Sequence, residues 1–215
     1  MNLICSDLPG SAIASFEDPN LETVIRGALQ IGAQDDLTCA LVSGLTILDN
    51  GLSAGIVSLE GMQNLTSLTT LVLIDNSITD AGPLSSLPSL QTIFLRNNFI
   101  SDLSPFTGLT GLGTLVLGNN SISDLSPLTG LTSLWDLDVA NNSITDISTL
   151  AGLTGMTKLY LNGNNIRDIG ALAGLLDLGD VDLDDNANLA DLRALLDNPA
   201  FGVGAQLFVR STAVS

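Results

Sequence analysis

The sequence predicts one α/β solenoid, an arc of stacked repeats with a parallel β-sheet on its concave face and 3₁₀ or short helical turns on its convex face. Three observations support this prediction: a period of 22 residues, one asparagine in every repeat, and an amphipathic helical segment ahead of the array. One repeat cannot bury its own apolar face, so neighbouring repeats must stack into a continuous core. The 215 residues suit one such array with a cap at each end.

The period is visible in five consecutive segments, which begin at Leu68, Leu90, Leu112, Leu134 and Met156. A degenerate sixth segment begins at Leu178, and further strands are expected over residues 45–49 and 206–210. The first, fourth and sixth positions are apolar, and the spacing of two between the fourth and sixth is the period of a strand. These positions should point into the core, and the third, fifth and seventh should face solvent.

Two polar residues also recur in every repeat. The ninth position is an asparagine, whose inward amide can pair backbone groups that stacked turns would leave unsatisfied: Asn76, Asn98, Asn120, Asn142, Asn164 and Asn186. An aspartate precedes each returning segment and is expected to N-cap a short turn: Asp80, Asp102, Asp124, Asp146, Asp168 and Asp191. Prolines suit the first residues of such turns. Together these columns define leucine-rich repeats.

The ends of an open solenoid need caps. Asp18 is a candidate N-cap and Pro19 the first residue of a helix whose apolar stripe includes Leu21, Val24 and Ile25. A second short helix is expected over residues 36–42, and a last helix and strand over 193–208. The predicted division is an N-terminal segment (1–15), a helical cap (16–44), the repeats (45–198) and a closing segment (199–215).

Composition limits the function. There are 23 acidic and 6 basic residues, and the net charge of −17 disfavours nucleic acid and anionic membranes. This charge serves either solubility or attraction of a basic partner. No stretch approaches the ~20 apolar residues of a membrane span, and no signal peptide is recognisable. Without histidine, a nucleophile–base pair or a glycine-rich phosphate loop, neither an enzyme nor a cofactor is expected.

The two cysteines do not decide whether the protein occupies an oxidising or a reducing compartment. Cys39 lies in an apolar run and is expected to be a buried free thiol. A bridge between Cys5 and Cys39 would form only in an oxidising compartment.

The repeats resemble the 22-residue class found in bacterial internalins. The similarity is best over residues 120–128 (NSISDLSPL), and residues 16–29 (FEDPNLETVIRGAL) and 58–68 resemble the helical cap and the entry into the first full repeat. The resemblance implies a monomeric, extracellular or bacterial surface module that binds another protein. No wall anchor or immunoglobulin-like domain is recognisable. The alternative is an intracellular scaffold, similar to leucine-rich regulatory subunits.

The outward columns divide the concave face into two candidate binding regions. The apolar half consists of Val72, Ile74, Phe94 and Val116, with Arg96 beside them. Apolar groups at outward positions indicate a contact surface, although valine and phenylalanine also suit strands. The acidic half consists of Asp136, Asp138, Asp180, Asp182 and Asp184, with Lys158 and Tyr160 among them. It suits a basic ligand.

Several alternatives concern the same face. Lys158 is expected between Asp136 and Asp180, where it would relieve repulsion. Asp182, Asp184 and Asp185 are a weak calcium candidate, because hard cations take several oxygen ligands. Trp135 could belong to the rim or to the core. A row of threonines (Thr70, Thr92 and Thr114) could bind ice.

Overall fold

The computed structural model describes residues 5–199, 201 and 204–210. Within these residues, eight strands pair in chain order in one parallel sheet. The predicted leucine-rich-repeat solenoid is therefore confirmed. The strands are β1 (Ile47–Leu48), β2 (Thr70–Val72), β3 (Thr92–Phe94), β4 (Thr114–Val116), β5 (Asp136–Asp138), β6 (Lys158–Tyr160), β7 (Asp180–Asp182) and β8 (Gln206–Phe208).

The register of the sheet advances by one whole repeat per strand. Leu71 pairs with Ile93, Ile93 with Leu115, and Leu115 with Leu137. The predicted inward positions are fully buried along the array, and they belong to one core that runs from the N-terminal cap to Leu195. The parallel strands are short because the chain turns at the eighth residue of each repeat, where the backbone is left-handed.

The asparagine column pairs the backbone of neighbouring repeats, as predicted. Asn98 Oδ1 accepts a hydrogen bond from the N–H of Ile78 (3.0 Å), and Asn98 Nδ2 donates to the carbonyls of Leu73 (3.0 Å) and Leu95 (3.0 Å). The same three bonds recur one repeat later at Asn120. They continue at Asn142, Asn164 and Asn186.

The residue before each of these asparagines has a left-handed backbone. Its φ lies between 52° and 68° at Asp75, Asn97, Asn119, Asn141, Gly163 and Asp185. Asparagine, aspartate and glycine tolerate this region best, which explains why they alone occupy the column.

The convex face consists of 3₁₀ helices at Met62–Asn64, Gly82–Ser86, Ser104–Phe106, Ser126–Leu128, Ser148–Gly152 and Gly170–Gly174. The aspartate column serves these turns, but the prediction that it supplies the N-cap residue was wrong. The N-cap of the third turn is Leu103, which is buried, and Asp102 lies one residue earlier. Asp102 Oδ1 accepts from the N–H of Ser104 (2.8 Å). Aspartate is short enough to pair the backbone two residues ahead.

The helical cap forms as the sequence predicts at its first helix. Helix α1 (Pro19–Leu29) has Asp18 as N-cap and buries Leu21, Val24 and Ile25. Helix α2 (Cys39–Ser43) begins three residues later than predicted, because Thr38 provides its N-cap by accepting from the N–H of Leu41 (3.4 Å). No helix in the described ranges is long and apolar enough to cross a membrane.

A disulfide joins Cys5 to Cys39. The expectation of a free thiol at Cys39 was wrong, although Cys39 is buried. The N-terminal 3₁₀ turn (Cys5–Asp7) folds back onto the cap, where the N–H of Cys5 donates to the buried Asn64 Oδ1 (2.8 Å). This long-range hydrogen bond fixes the turn beside α2, and the sequence spacing gave no indication of it.

The C-terminal end closes with helix α3 (Arg193–Leu196) and strand β8. Strand β8 ends at Phe208, two residues before the predicted limit. Asn198 is buried and donates to the carbonyl of Leu175 (3.0 Å). Residues 200, 202–203 and 211–215 of the predicted closing segment lie outside the described residues, and the division of the chain into four segments stays a prediction.

Candidate binding face on the concave sheet

The concave face is built from the three outward columns of the repeats. The strand register places the third and fifth positions of successive repeats side by side. Adjacent strands of a sheet lie about 4.8 Å apart, so each column is a continuous row of side chains. The alternation of buried and accessible residues within the strands follows this arrangement.

The apolar half lies on β2 to β4. Val72, Ile74, Phe94 and Val116 are each half-buried, and Arg96 is exposed beside them. A row of apolar groups that remains accessible to solvent is typical of a contact surface.

Two exposed apolar residues extend this half toward the cap, and sequence reasoning missed both. Ile47 pairs with Thr70 and is 50% exposed, and Leu52 is 58% exposed. The N–H of Ser53 donates to the carbonyl of Ile74 (3.0 Å), which places Leu52 next to Ile74 in the seventh column. The first repeat has an extra residue between its strand and this position, so counting from the 22-residue period could not align Leu52.

Four outward positions are covered, contrary to the expectation that these columns face solvent. Thr114, Gly118, Asp138 and Ala140 are buried. Thr114 and Ala140 have short side chains that lie close to the sheet. With Thr114 buried, only Thr70 and Thr92 of the threonine row remain accessible, which removes the regular surface that ice binding requires.

An ion pair marks the boundary between the two halves. Arg96 Nη1 lies 3.7 Å from Asp138 Oδ2, although the two residues belong to strands separated by β4. The intervening residue is Gly118, two residues after the end of β4, and a Cβ atom there would lie 3.0 Å from Asp138 Oδ1. The glycine therefore leaves the space through which the guanidinium reaches Asp138. Asp138 Oδ1 also accepts from the N–H of Ala140 (2.9 Å).

The acidic half crowds carboxylates on β5 to β7. Burial raises the pKa of Asp136, the charge of Lys158 lowers it in part, and Asp138 and Asp180 raise it further. Burial likewise raises the pKa of Asp182, against a hydrogen bond from the N–H of Asp184 (2.9 Å). Ionisation of Asp136 and Asp182 is therefore less favourable than in water.

Tyr160 is held by one of these carboxylates. Its hydroxyl donates to Asp180 Oδ2 (2.6 Å), and this bond raises the pKa of Tyr160 above its usual range. The other oxygen, Asp180 Oδ1, is buried and has no hydrogen-bond partner within the part of the chain that the structure describes. An unpaired buried acceptor is costly, so this oxygen is ready to accept a donor.

Lys158 lies between Asp136 and Asp180 in the sheet, as expected, and its charge lowers the pKa of Asp136. Among the described residues, Lys158 forms no ion pair with either carboxylate. Its Nζ lies 5.8 Å from the centroid of the Trp135 ring, in a cation–π contact. Among the described residues, the ion pairs of the acidic half involve arginines only. Trp135 is exposed and lies beside Gly113, so it belongs to the rim of the concave face and not to the core.

The C-terminal edge adds Phe208 and Arg210, which sequence reasoning also missed. Phe208 pairs with Asp182 and is partly exposed. Arg210 Nε lies 3.1 Å from Asp184 Oδ2. Within the described residues, no group of three or more acidic, histidine or cysteine side chains could hold a metal ion, so the weak calcium candidate at Asp182, Asp184 and Asp185 has no ligand set there.

Comparisons with known proteins identify the class. A family model described as "Leucine Rich repeats (2 copies)" matches residues 66–108 and 132–174, and a second described as "Leucine rich repeat" matches residues 88–144. The chain belongs to the leucine-rich-repeat family, whose fold is a protein-interaction scaffold. No curated protein sequence matches the chain significantly.

Solved structures narrow the class to internalin-like proteins. The internalin inlF from Listeria monocytogenes has 30% sequence identity and a TM-score of 0.86, over 97% of this chain and 60% of that chain. The chain thus spans less than two thirds of inlF. The internalin inlC2 from Listeria monocytogenes has 31% identity and a TM-score of 0.69, over 92% of this chain and 94% of that chain. A plant peptide hormone receptor, RGFR1, shares the fold at 21% identity, with a TM-score of 0.66, over 80% of this chain and 29% of that chain.

Proposed function

We propose that this chain is the recognition domain of a bacterial surface or secreted protein and that it binds another protein through its concave face. The observation that carries the proposal is the row of accessible apolar side chains on an outward face that the core does not need. The proposed contact residues are Val72, Ile74, Phe94, Arg96, Val116, Asp136, Asp138, Lys158, Tyr160, Asp180 and Asp182, with Ile47 and Leu52 added from the structure.

The disulfide supports a location outside the cytoplasm. A bridge between Cys5 and Cys39 persists where the environment is oxidising, and cytosolic proteins rarely keep one. The alternative, an intracellular scaffold, requires both thiols to be reduced. The likeness to internalins of Listeria monocytogenes supports the same location.

The charge supports a protein partner over other macromolecules. At a net charge of −17, the chain repels nucleic acid and anionic lipid surfaces. The same charge opposes close approach of two copies, and we propose that the chain acts as a monomer. Analytical ultracentrifugation at low and high salt would test the monomer, and a dimer already present at low salt, where the repulsion is strongest, would contradict it.

The concave site can be tested with a pair of matched substitutions. Phe94 lies on the concave face, whereas Phe99 is 59% exposed beyond the end of strand β3. Each is changed to aspartate, and the immobilised native chain, Phe94→Asp and Phe99→Asp are compared for proteins captured from cell-surface and secreted extracts. We expect a captured protein to be lost with Phe94→Asp and retained with Phe99→Asp.

Circular dichroism and thermal melting would verify that both variants fold. Retention by both variants would place the binding site outside the concave face. Loss of the captured protein with both variants would show that the loss does not depend on whether the substitution lies on the concave face.

The location can be tested through the disulfide. Reduction of a bridge that closes 34 residues should cost about 3 to 4 kcal/mol of stability, from the lost constraint on the unfolded chain. Thiol titration of the chain isolated from its native source should find no free thiol, and two free thiols would favour the intracellular alternative.

A further inference from the structure

We propose that the partner presents to the concave face a protein segment with apolar side chains at one end and arginine or lysine side chains at the other. The apolar end lies over β1 to β4 and the basic end over β5 to β7. This inference rests on the proposed function and adds the chemistry of the ligand.

The acidic half has fewer cations than its carboxylates require. Arg96 pairs with Asp138 and Arg210 pairs with Asp184. In the described part of the chain, Asp136, Asp180 and Asp182 have no ion pair, and the one lysine of this half is held over Trp135.

One carboxylate is also short of a hydrogen-bond donor. Among the described residues Asp180 Oδ1 is buried without a partner, while Oδ2 accepts from Tyr160. A guanidinium or ammonium group approaching between β5 and β7 would supply the charge, and it would supply the missing donor once the Asp180 carboxylate rotates to uncover Oδ1. The raised pKa of Asp136 and of Asp182 agrees with this, because a bound cation stabilises the ionised form of each.

The end of the concave face over β1 to β4 is apolar and suits apolar side chains of a partner. Ile47 is 50% exposed and Leu52 is 58% exposed, and both continue the row of Val72, Ile74 and Phe94. Burial of such groups is favourable at roughly 25 cal/mol per Å². Apolar side chains of a partner would cover them without competing with the acidic half.

The dimensions of the sheet set the length of the segment. Six strand spacings separate β1 from β7, about 29 Å in total. An extended chain advances about 3.3 Å per residue, so a segment of about nine residues spans the face. The centres of the two halves lie about four strands apart, so five or six residues separate the apolar and basic groups.

Defined peptides can test this polarity. The main probe is a fluorescently labelled peptide of about nine residues, with three leucines, a glycine–serine spacer of about three residues and three arginines, so that the centres of the two groups lie about six residues apart. Its reversed-order form, a form with glutamates in place of the arginines, and a form without the leucines serve as comparisons. Binding to the native chain is measured by fluorescence anisotropy at about 50 mM and about 300 mM salt.

Two triple variants with the same change of charge provide the control. Asp136→Asn, Asp180→Asn and Asp182→Asn remove three charges from the concave face. Asp102→Asn, Asp124→Asn and Asp146→Asn remove three from the convex face, where the amide oxygen can still accept the backbone N–H. Thermal melting would confirm that both variants fold.

We expect the leucine–arginine peptide, in one of its two orders, to bind at least about tenfold more tightly than the glutamate form. The concave variant should lose about tenfold and the convex variant less than about twofold. Binding should weaken at the higher salt concentration, and removal of the leucines should weaken it independently of salt.

Equal losses in the two triple variants would overturn the proposal, because general charge would then explain the binding. Binding that ignores the sign of the peptide charge, or no binding up to about 1 mM, would overturn it as well. If the peptides fail while Phe94→Asp still abolishes capture of a protein and Phe99→Asp does not, the proposed function stands and only the ligand chemistry is wrong. If both experiments fail, the proposed function fails.

Discussion

Aspartates on the two faces of this solenoid have opposite environments. On the convex face each carboxylate accepts a backbone N–H of the following turn, as Asp102 and Asp146 do, and this bond lowers the pKa of both. On the concave face Asp136 and Asp182 are partly buried among other carboxylates, and their pKa is raised. The first set stabilises the fold, whereas the second set costs stability. Folding does not explain a costly cluster at outward positions, whereas the proposed binding function does.

Asp18 is the extreme case of a carboxylate that stabilises the fold. Burial would raise its pKa, but hydrogen bonds from the N–H groups of Val57 (2.6 Å), Ser58 (3.1 Å), Asn20 (2.8 Å) and Leu21 (3.4 Å) lower it more. We expect Asp18→Ala to reduce the free energy of unfolding by about 2 to 3 kcal/mol, because it leaves these donors unpaired. Urea denaturation measures this loss, and a loss below that of a convex aspartate would break the comparison.

The convex column should show a smaller effect of the same sign. The triple change of Asp102, Asp124 and Asp146 to alanine removes three side-chain acceptors from the starts of 3₁₀ turns. We expect a lower Tm for the alanine variant and nearly the native Tm for the matched asparagine variant, since an amide oxygen can replace the carboxylate. Differential scanning calorimetry measures both values. Equal losses would mean that charge, not the hydrogen bond, is what matters.

The concave carboxylates should show the opposite sign. Changing Asp136, Asp180 and Asp182 to asparagine removes repulsion and desolvation of charge at neutral pH. The free energy of unfolding should stay constant or rise by up to about 0.5 kcal/mol, within the range of surface substitutions. Urea denaturation at pH 7 measures the change. A loss above about 1 kcal/mol would show that these residues hold the fold together.

The pH dependence of these differences is the smallest expected effect. Ionisation of Asp136 and Asp182 costs stability above their raised pKa, and the cost disappears as pH falls toward the usual 3.8. The advantage of the concave variant should therefore vanish by about pH 3.8. A variant Asp18→Asn, which removes only the charge of the N-cap, should have a lower free energy of unfolding than the native chain. This loss should persist at about pH 3.8 and disappear only as the pH falls through the lowered pKa of Asp18. Urea denaturation curves between about pH 3 and pH 7 would measure both differences from the native chain. If the difference for the concave variant and the difference for the Asp18 variant vanished at the same pH, this prediction would be wrong.

The repeat made most of the fold predictable. The period fixed the buried columns, the asparagine column implied its hydrogen bonds, and Asp18 with Pro19 marked the start of α1. Features that depend on one long-range contact were not predictable. The hydrogen bond between Cys5 and Asn64, 59 residues apart, accompanies the disulfide, and the sequence could name the Cys5–Cys39 bridge only as an alternative.

The candidate site was predictable in outline only. Columns counted from the period found Phe94 and Asp180, but the extra residue in the first repeat hid Leu52. The burial of Asp138 depends on Arg96 reaching it past Gly118, two strands away. The Lys158 ammonium group contacts the Trp135 ring and forms no ion pair with the neighbouring carboxylates of the described residues, and the order of residues in a column cannot predict which of these partners it contacts.

The asparagine ladder also bears on how such a protein can change over generations. Each amide contacts its own repeat and the preceding one at constant offsets, so duplication or deletion of a whole repeat recreates every junction. A single-residue deletion inside a strand would misplace all the bonds of that step. The outward columns contribute only backbone carbonyls to the ladder, at the seventh position, so substitutions can change the side chains of the concave face while the scaffold stays intact.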